Sequence, residues 1–141
     1  MKLFLDSNIV LDFLDSARPT HQDAIKIFQY IITNNIETYL SEDMLTTIYY
    51  ISKDKQKVLE FFEKIMQLWK IVAFEQNTIN EAITICKNNS TEDFEDVLQS
   101  LAAKRNGCHI VVTNDKKFYK CGVDILNSKE YLLSIAQGRF F

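Results

Sequence analysis

Two aspartates stand close behind short apolar runs: Asp6 follows Leu3-Phe4-Leu5, and Asp115 follows Ile110-Val111-Val112-Thr113-Asn114. A third acidic group, Glu92-Asp93-Phe94-Glu95-Asp96, opens the stretch that leads into the second of these runs. Carboxylates drawn together repel one another and take up protons unless a divalent cation neutralises them. A donor set made only of oxygen favours a hard ion, Mg²⁺ or Mn²⁺, over zinc. Such an ion activates water and steadies the oxyanions of an in-line phosphoryl displacement, which is the chemistry of phosphodiester hydrolysis. It also reverses the local sign, so an acidic surface can meet a polyanion, and Lys104, Arg105, Lys116, Lys117 and Lys120 stand nearby in sequence.

The acids do not carry equal weight. Glu92 and Asp93 fall in the first turn after an expected cap at Ser90, where acids complement the helix macrodipole. Asp96 lies more than a turn in, beside Val97 and on the stripe shared with Ser100 or Leu101, where an unpaired carboxylate is costly to bury. Asp93 and Asp96 share a helical face, so one carboxylate of the group is aimed at the strand ends. Other reactive residue types lack partners. His21 and His109 have no metal-ligand spacing around them, and Cys108 and His109 point to opposite faces if they are strand neighbours. No serine sits in a nucleophile elbow and no Gly-rich loop is present to cradle a nucleotide.

Positioning these groups requires a folded core, and the composition supports one. The 141 residues are 47% hydrophobic and 25% charged, with one Pro and three Gly, which excludes disorder and low-complexity filaments and predicts a single domain over 1–141. The net charge of −3 excludes a global positive field that would draw the chain to nucleic acid or anionic membrane. Three cysteines in no CxxC arrangement, together with no apolar run long enough for a signal core or a membrane span, predict a soluble protein of the reducing cytoplasm with no membrane partner.

Periodicity then orders the elements. Leu3-Phe4-Leu5 reads as a buried strand, a polar turn and a helix through Leu14. Thr20 and Asp23 resemble a capping box ahead of a helix to about Asn34. Thr38-Tyr39-Leu40 is a short strand, Ser41 caps a helix through Ile51, and Lys53 to Leu68 forms an amphipathic helix with Val58, Phe61, Phe62, Ile65 and Leu68 inward. Ile71–Phe74 is the next strand, Thr78 and Glu81 form a second capping box, and Ser90 starts a helix to the Asn106-Gly107 stop. His109–Thr113 is the clearest strand, Val123–Leu126 the last, and Ser128 caps a final helix. Phe140-Phe141 closes the chain as an apolar end with three open roles: packing on the domain, fraying or meeting a partner. Short apolar strands alternating with helices predict an α/β fold with a mostly parallel sheet.

The segments Leu3-Phe4-Leu5-Asp6-Ser7-Asn8-Ile9-Val10-Leu11-Asp12, Asp93-Phe94-Glu95-Asp96-Val97-Leu98-Gln99 and Ile110-Val111-Val112-Thr113-Asn114-Asp115 resemble, in order and spacing, the acidic motifs of PIN domains, most closely the VapC-like toxin type. The resemblance implies a three-layer α/β/α fold with a central parallel sheet of four to five short strands, and an Mg²⁺- or Mn²⁺-dependent ribonuclease. It matches Asp6, Asp96 and Asp115 to family acids that hold the metal, and Asn8 and Thr113 to polar positions that support the pocket. At the second family acid this chain has Thr47, in Leu45-Thr46-Thr47-Ile48-Tyr49-Tyr50, with Asp43 one turn earlier or Glu95 beside Asp96 as stand-ins. The toxin type further implies an RNA substrate, a cognate antitoxin and a homodimer.

Three functions compete at this point. One is a metal-dependent endoribonuclease built on Asp6, Asp96 and Asp115. Another is a non-catalytic module that lost part of its metal set at Thr47 and binds RNA or protein. A phosphoryl-accepting role for Asp6 ranks last, because position 8 is Asn8 and not a second aspartate.

Overall fold

The computed structural model describes residues 1–139, so Phe140-Phe141 and the roles considered for them lie outside the described residues. Along the chain run β1 (Lys2–Leu5), α1 (Ser7–Leu14), α2 (His21–Thr33), β2 (Glu37–Ser41), α3 (Glu42–Ile51), α4 (Lys55–Leu68), β3 (Lys70–Val72), α5 (Gln76–Asn88), α6 (Phe94–Arg105), β4 (Ile110–Val112), β5 (Asp124–Leu126) and α7 (Ser128–Ala136). The five strands form one parallel sheet in the order β3-β2-β1-β4-β5, the middle layer of a three-layer α/β/α sandwich.

That order places β1 at the centre and sends the chain outward in both directions from it. The gap between β1 and β4 is therefore the topological switch point, where loops leave the carboxyl edge on opposite sides and open a crevice. Register makes this specific: Leu3 pairs with Ile110, Phe4 with Val111 and Leu5 with Val112, so the residues after Leu5 and after Val112 emerge side by side. The Asp6 N–H extends the pairing by donating to the Val112 carbonyl at 3.0 Å. All six paired residues are fully buried, as expected of strands covered on both faces.

The main core joins these strands to α1, α2, α3 and α4, with Phe13 stacked on Phe28 and Trp69 edge-on to Phe28 and Phe61. A smaller cluster of Ala82, Val97, Leu98 and Leu101 packs α5 against α6. Helix α6 is buried from Val97 through Ala103, enclosed on all sides, so its two polar residues, Gln99 and Ser100, require internal partners. Its end is as expected: Asn106 is the C-cap and Gly107 takes φ +75°, a left-handed conformation that closes helices at low cost with glycine.

Several expected caps are corrected. Thr20 precedes α2 but makes no cap bond, because its hydroxyl donates to the buried Asp12 carboxylate instead. Helix α5 starts two residues before Thr78, whose side chain and that of Glu81 are taken by Arg105. Asn127, not Ser128, caps α7, in a reciprocal box with Glu130. Helix α4 starts at Lys55 behind the cap Asp54, and Leu68 near its end is exposed rather than inward. Helix α6 starts at Phe94 with Asp93 as its cap, so Glu92 precedes the helix and Asp96 lies in the first turn. For Thr20 and Thr78 a tertiary partner outcompetes the local bond that the spacing predicts.

Candidate active site at the β1 and β4 strand ends

Asp6 is the first residue past β1 and the N-cap of α1, a position that local propensity favours because its carboxylate accepts an otherwise orphaned helix N–H. Its Oδ1 accepts from the Ser7 N–H at 2.7 Å, and its Oδ2 accepts from Thr113 Oγ1 at 2.7 Å and Asn8 Nδ2 at 3.1 Å. Thr113 is the matching residue past β4, and its Oγ1 in turn accepts from the Asp115 N–H at 3.0 Å. Asn8 closes the loop by accepting from the Asn114 N–H at 3.2 Å. Asp6 is thus clamped by neutral donors from both central strand ends and is 6% exposed.

Its charge is felt by Asp115 past the end of β4 and by Glu95 and Asp96 of α6. The Asp96 carboxyl lies within hydrogen-bond reach of Asp115, and the Glu95 carboxyl within reach of Asp43. Burial, then the charge of Asp93, then the bond to Asp115 and the charges of Asp6 and Asp115 push Asp96 up to about 8. Burial, the bond to Asp43 and the charges of Asp43, Asp93 and Asp6 push Glu95 up to about 7. Asp96 is half-buried while Glu95 sits on the exposed rim, so water screens Glu95 more and the stronger effect belongs to Asp96. Asp6 is also raised, by burial, against the opposing bonds from Thr113 and Ser7.

Asp93 and Asp96 are linked as the sequence reading expects, although the cause is different. The Asp93 Oδ1 accepts from the Asp96 N–H at 3.0 Å as a helix cap, and this sets the first turn so that Asp96 reaches Asp115. Thr47 is not brought to the acids by its hydroxyl, which donates to the Asp43 carbonyl oxygen at 3.3 Å within its own helix. Arg105 is drawn away to Glu81, at 2.6 Å, and to Asn77. His21 and His109 make backbone contacts, to the Asp12 carbonyl oxygen and the Lys2 N–H.

Three participants lie within the quoted motifs with no role assigned to them there. Gln99 crosses from α6 to donate to Asp43 Oδ2 at 2.9 Å. Asn114 donates to Asp12 Oδ2 at 3.1 Å and Ser128 Oγ at 3.2 Å, tying the β4 end to α1 and α7. Asp12 itself is 3% exposed and paired with Arg18 at 2.6 Å. The available signal was a polar residue within an apolar helical stretch, Asp12 in α1 and Gln99 in α6, since each needs a specific partner to be buried at all.

Beside Asp115 the surface opens into a cavity of about 440 Å³ lined in part by Lys116, Lys120, Lys129, Asn127 and Ile125. Among the described residues these three lysines take part in no ion pair, whereas Arg18, Lys70 and Arg105 each do. The neighbouring Glu130 carboxylate accepts from the Asn127 N–H.

Residues 2–117 match a known family model, that of the PIN domain. The chain belongs to the PIN-domain family. Ribonuclease VapC1 of Aquifex aeolicus (strain VF5) is 31% identical over 133 residues, 92% of each chain. Solved structures share the fold at lower identity. VapC20 of Mycobacterium tuberculosis, described as a sarcin-ricin loop cleaving toxin, superposes with a TM-score of 0.68 at 9% identity, over 82% of this chain and 92% of that one. VapBC2 of Rickettsia felis, bound to a DNA fragment from its promoter, gives 0.68 at 18% identity, over 90% and 98%. The family profile ends before β5 and α7, yet in this PIN domain β5 completes the sheet against β4 and Ser128 of α7 holds Asn114.

The donor chemistry of the strand ends fits a hard divalent cation. The converging groups are carboxylates, and burial together with neighbouring acids pushes Glu95 up to about 7 and Asp96 up to about 8. They meet in pairs around Asp6; among the described residues no three His, Cys, Asp or Glu side chains already form a closed ligand cluster. No helix is long and apolar enough to cross a membrane among the described residues.

Proposed function

We propose that this PIN domain, acting as one unit over 1–141, is a metal-dependent endoribonuclease and the toxin of a toxin–antitoxin pair. The observation that carries the reading is the convergence of Asp6, Asp96 and Asp115 at the switch point, where among the described residues the salt bridges reach none of the three. In this reading Asp6, Asp96 and Asp115 hold Mg²⁺ or Mn²⁺, which when bound supplies charge neutralisation and polarises water. Thr113 and Asn8 fix the Asp6 carboxylate from two sides, so its oxygens do not reorganise when substrate arrives. Water attacks the backbone phosphorus, the bond to O3′ breaks, and the products are a 3′-hydroxyl and a 5′-phosphate. Lys116, Lys120 and Lys129, unpaired beside Asp115, meet the RNA backbone and give an acidic protein a local reason to bind a polyanion.

The kinship with Ribonuclease VapC1, and a fold shared with toxin–antitoxin complexes, support the toxin assignment and a cognate antitoxin, and the homodimer is proposed on the family resemblance alone. Three free thiols, Cys86, Cys108 and Cys121, agree with a reducing cytoplasm.

One observation favours a second reading, a non-catalytic binding module: the Thr47 hydroxyl is spent on its own helix and adds nothing to the acids. Incubating purified protein with a panel of structured RNAs, tRNAs included, in Mg²⁺, Mn²⁺ or EDTA separates the two. Cutting that EDTA stops and that an Asp6→Asn/Asp96→Asn protein lacks is the expected result. An intact RNA panel together with no calorimetric uptake of either ion sinks the nuclease and leaves the binding module.

A further inference from the structure

Asp115 belongs both to the acids of the strand ends and to the wall of the neighbouring cavity, whose far side is the turn into α7. Its volume of about 440 Å³ falls among the roughly 300–1,000 Å³ of sites that enclose one small molecule. Lys116, Lys120 and Lys129 on its rim suit phosphate, and the half-buried Ile125 of β5 offers an apolar surface for the face of a base.

The turn into α7 is held rigid by its own backbone. Asn127 Oδ1 accepts from the Glu130 N–H at 2.8 Å, and Glu130 Oε1 accepts from the Asn127 N–H at 2.9 Å. This reciprocal box spends one polar atom of each side chain and leaves Asn127 Nδ2, a donor, and Glu130 Oε2, an acceptor, on two residues that line the same cavity. A carboxylate beside an amide donor complements a base edge that sets adjacent N–H groups next to a carbonyl. Guanine has that edge: N1–H and the N2 amino group donate to the carboxylate, and O6 accepts from the amide. Uracil sets a carbonyl on each side of its one N–H, while adenine and cytosine offer a single amino group beside a bare ring nitrogen. Pairing in a duplex consumes this edge, so the nucleotide that enters is unpaired.

We propose that this cavity is a subsite for one unpaired guanine nucleotide of the RNA, beside the scissile phosphate, and that Glu130 with Asn127 determines the base. The subsite presupposes the RNA substrate of the proposed function and adds a base preference to it, because contacts to phosphate carry no sequence information.

Fluorescence anisotropy in EDTA tests it, with short labelled oligouridines that carry one central G, A, C or U. The G oligomer is expected to bind the wild type about tenfold tighter than the other three. Glu130→Gln keeps an oxygen for the Asn127 N–H, and Asn127→Asp keeps one for the Glu130 N–H, so both variants retain the helix cap. Each is expected to cut the preference for G to within about twofold. Equal binding of all four oligomers by the wild type, preference for another base, or a G preference that survives Glu130→Gln overturns the subsite. So does a hairpin with the G in a base pair that binds as tightly as the single strand. RNA cutting in Mg²⁺ by a protein without the preference refutes the subsite alone; the preference in a protein that cuts no RNA refutes the nuclease and upholds the subsite.

Discussion

Asp6 caps the short helix α1 and Asp12 lies within it, and the two are buried almost equally, at 6% and 3% exposed, yet their surroundings differ in kind. Around Asp12 the charge is closed: Arg18 supplies a guanidinium at 2.6 Å, and Thr20 and Asn114 donate to the other oxygen. Around Asp6 the donors are all neutral, and the nearest charges are more carboxylates. Hydrogen-bond satisfaction alone does not separate the two, since both are well bonded. Charge balance does: Asp12 has its own cation within the fold, and Asp6 has other acids as its neighbouring charges.

The largest effect that tests this contrast is on catalysis. Asp6→Asn or Asp96→Asn is expected to lower kcat/KM for RNA cleavage by about a thousandfold or more, about 4 kcal/mol of transition-state stabilisation, with little change in melting temperature. Arg18→Met should do the reverse. Stranding Asp12 without its cation costs about 3 kcal/mol in urea unfolding, while the folded protein cleaves within about a few fold of wild type. A stable Arg18→Met protein that has lost cleavage would erase the distinction between the two aspartates.

A smaller effect concerns pH in the presence of EDTA. Glu95 and Asp96 move from ordinary values of 4.5 and 3.8 up to about 7 and about 8, so between those limits the folded state binds more protons than the unfolded chain. Stability therefore falls as pH rises through this window. The melting temperature of metal-free protein should drop from pH 5 to pH 8, and Asp96→Asn should flatten the curve. A melting temperature that rises with pH there would show that the acids are not crowded.

The smallest expected effect sharpens the same point from the cationic side. Arg18 is spent internally, whereas Lys116, Lys120 and Lys129 are free for an external anion. Replacing all three by Ala should reduce the slope of log affinity against log salt for single-stranded RNA by about 2, read by fluorescence anisotropy in EDTA. An unchanged slope would place the RNA elsewhere on the surface.

Much of this molecule was legible in its residues because the signals are local. Leu3-Phe4-Leu5 ending in Asp6, and Ile110-Val111-Val112 ending in Thr113, announce buried strands by composition and their polar edge by the break that follows. The Asn106-Gly107 stop is equally local, a matter of one residue's φ. Caps were the weak point: Thr20 and Thr78 have the right types at the right spacing, but a hydroxyl is also a good partner for a distant Asp12 or Arg105, and sequence spacing carries no record of which partner wins. The shift of the α6 start from Ser90 to Phe94 moved Asp96 into the first turn.

The order of strands and helices, the parallel α/β class and the presence of two strand-end aspartates and one acidic group follow from the sequence by itself, because apolar runs of fixed period have few ways to be buried. Only the tertiary structure decides that β1 and β4 are neighbours, that Thr113 and Asn8 clamp Asp6, that Gln99 reaches Asp43 from 56 residues away, and that Arg18 closes one aspartate while leaving the other open. The physical reason is range. Helix and strand preference is settled within a few residues, whereas the balance of a buried charge depends on every element folded against it.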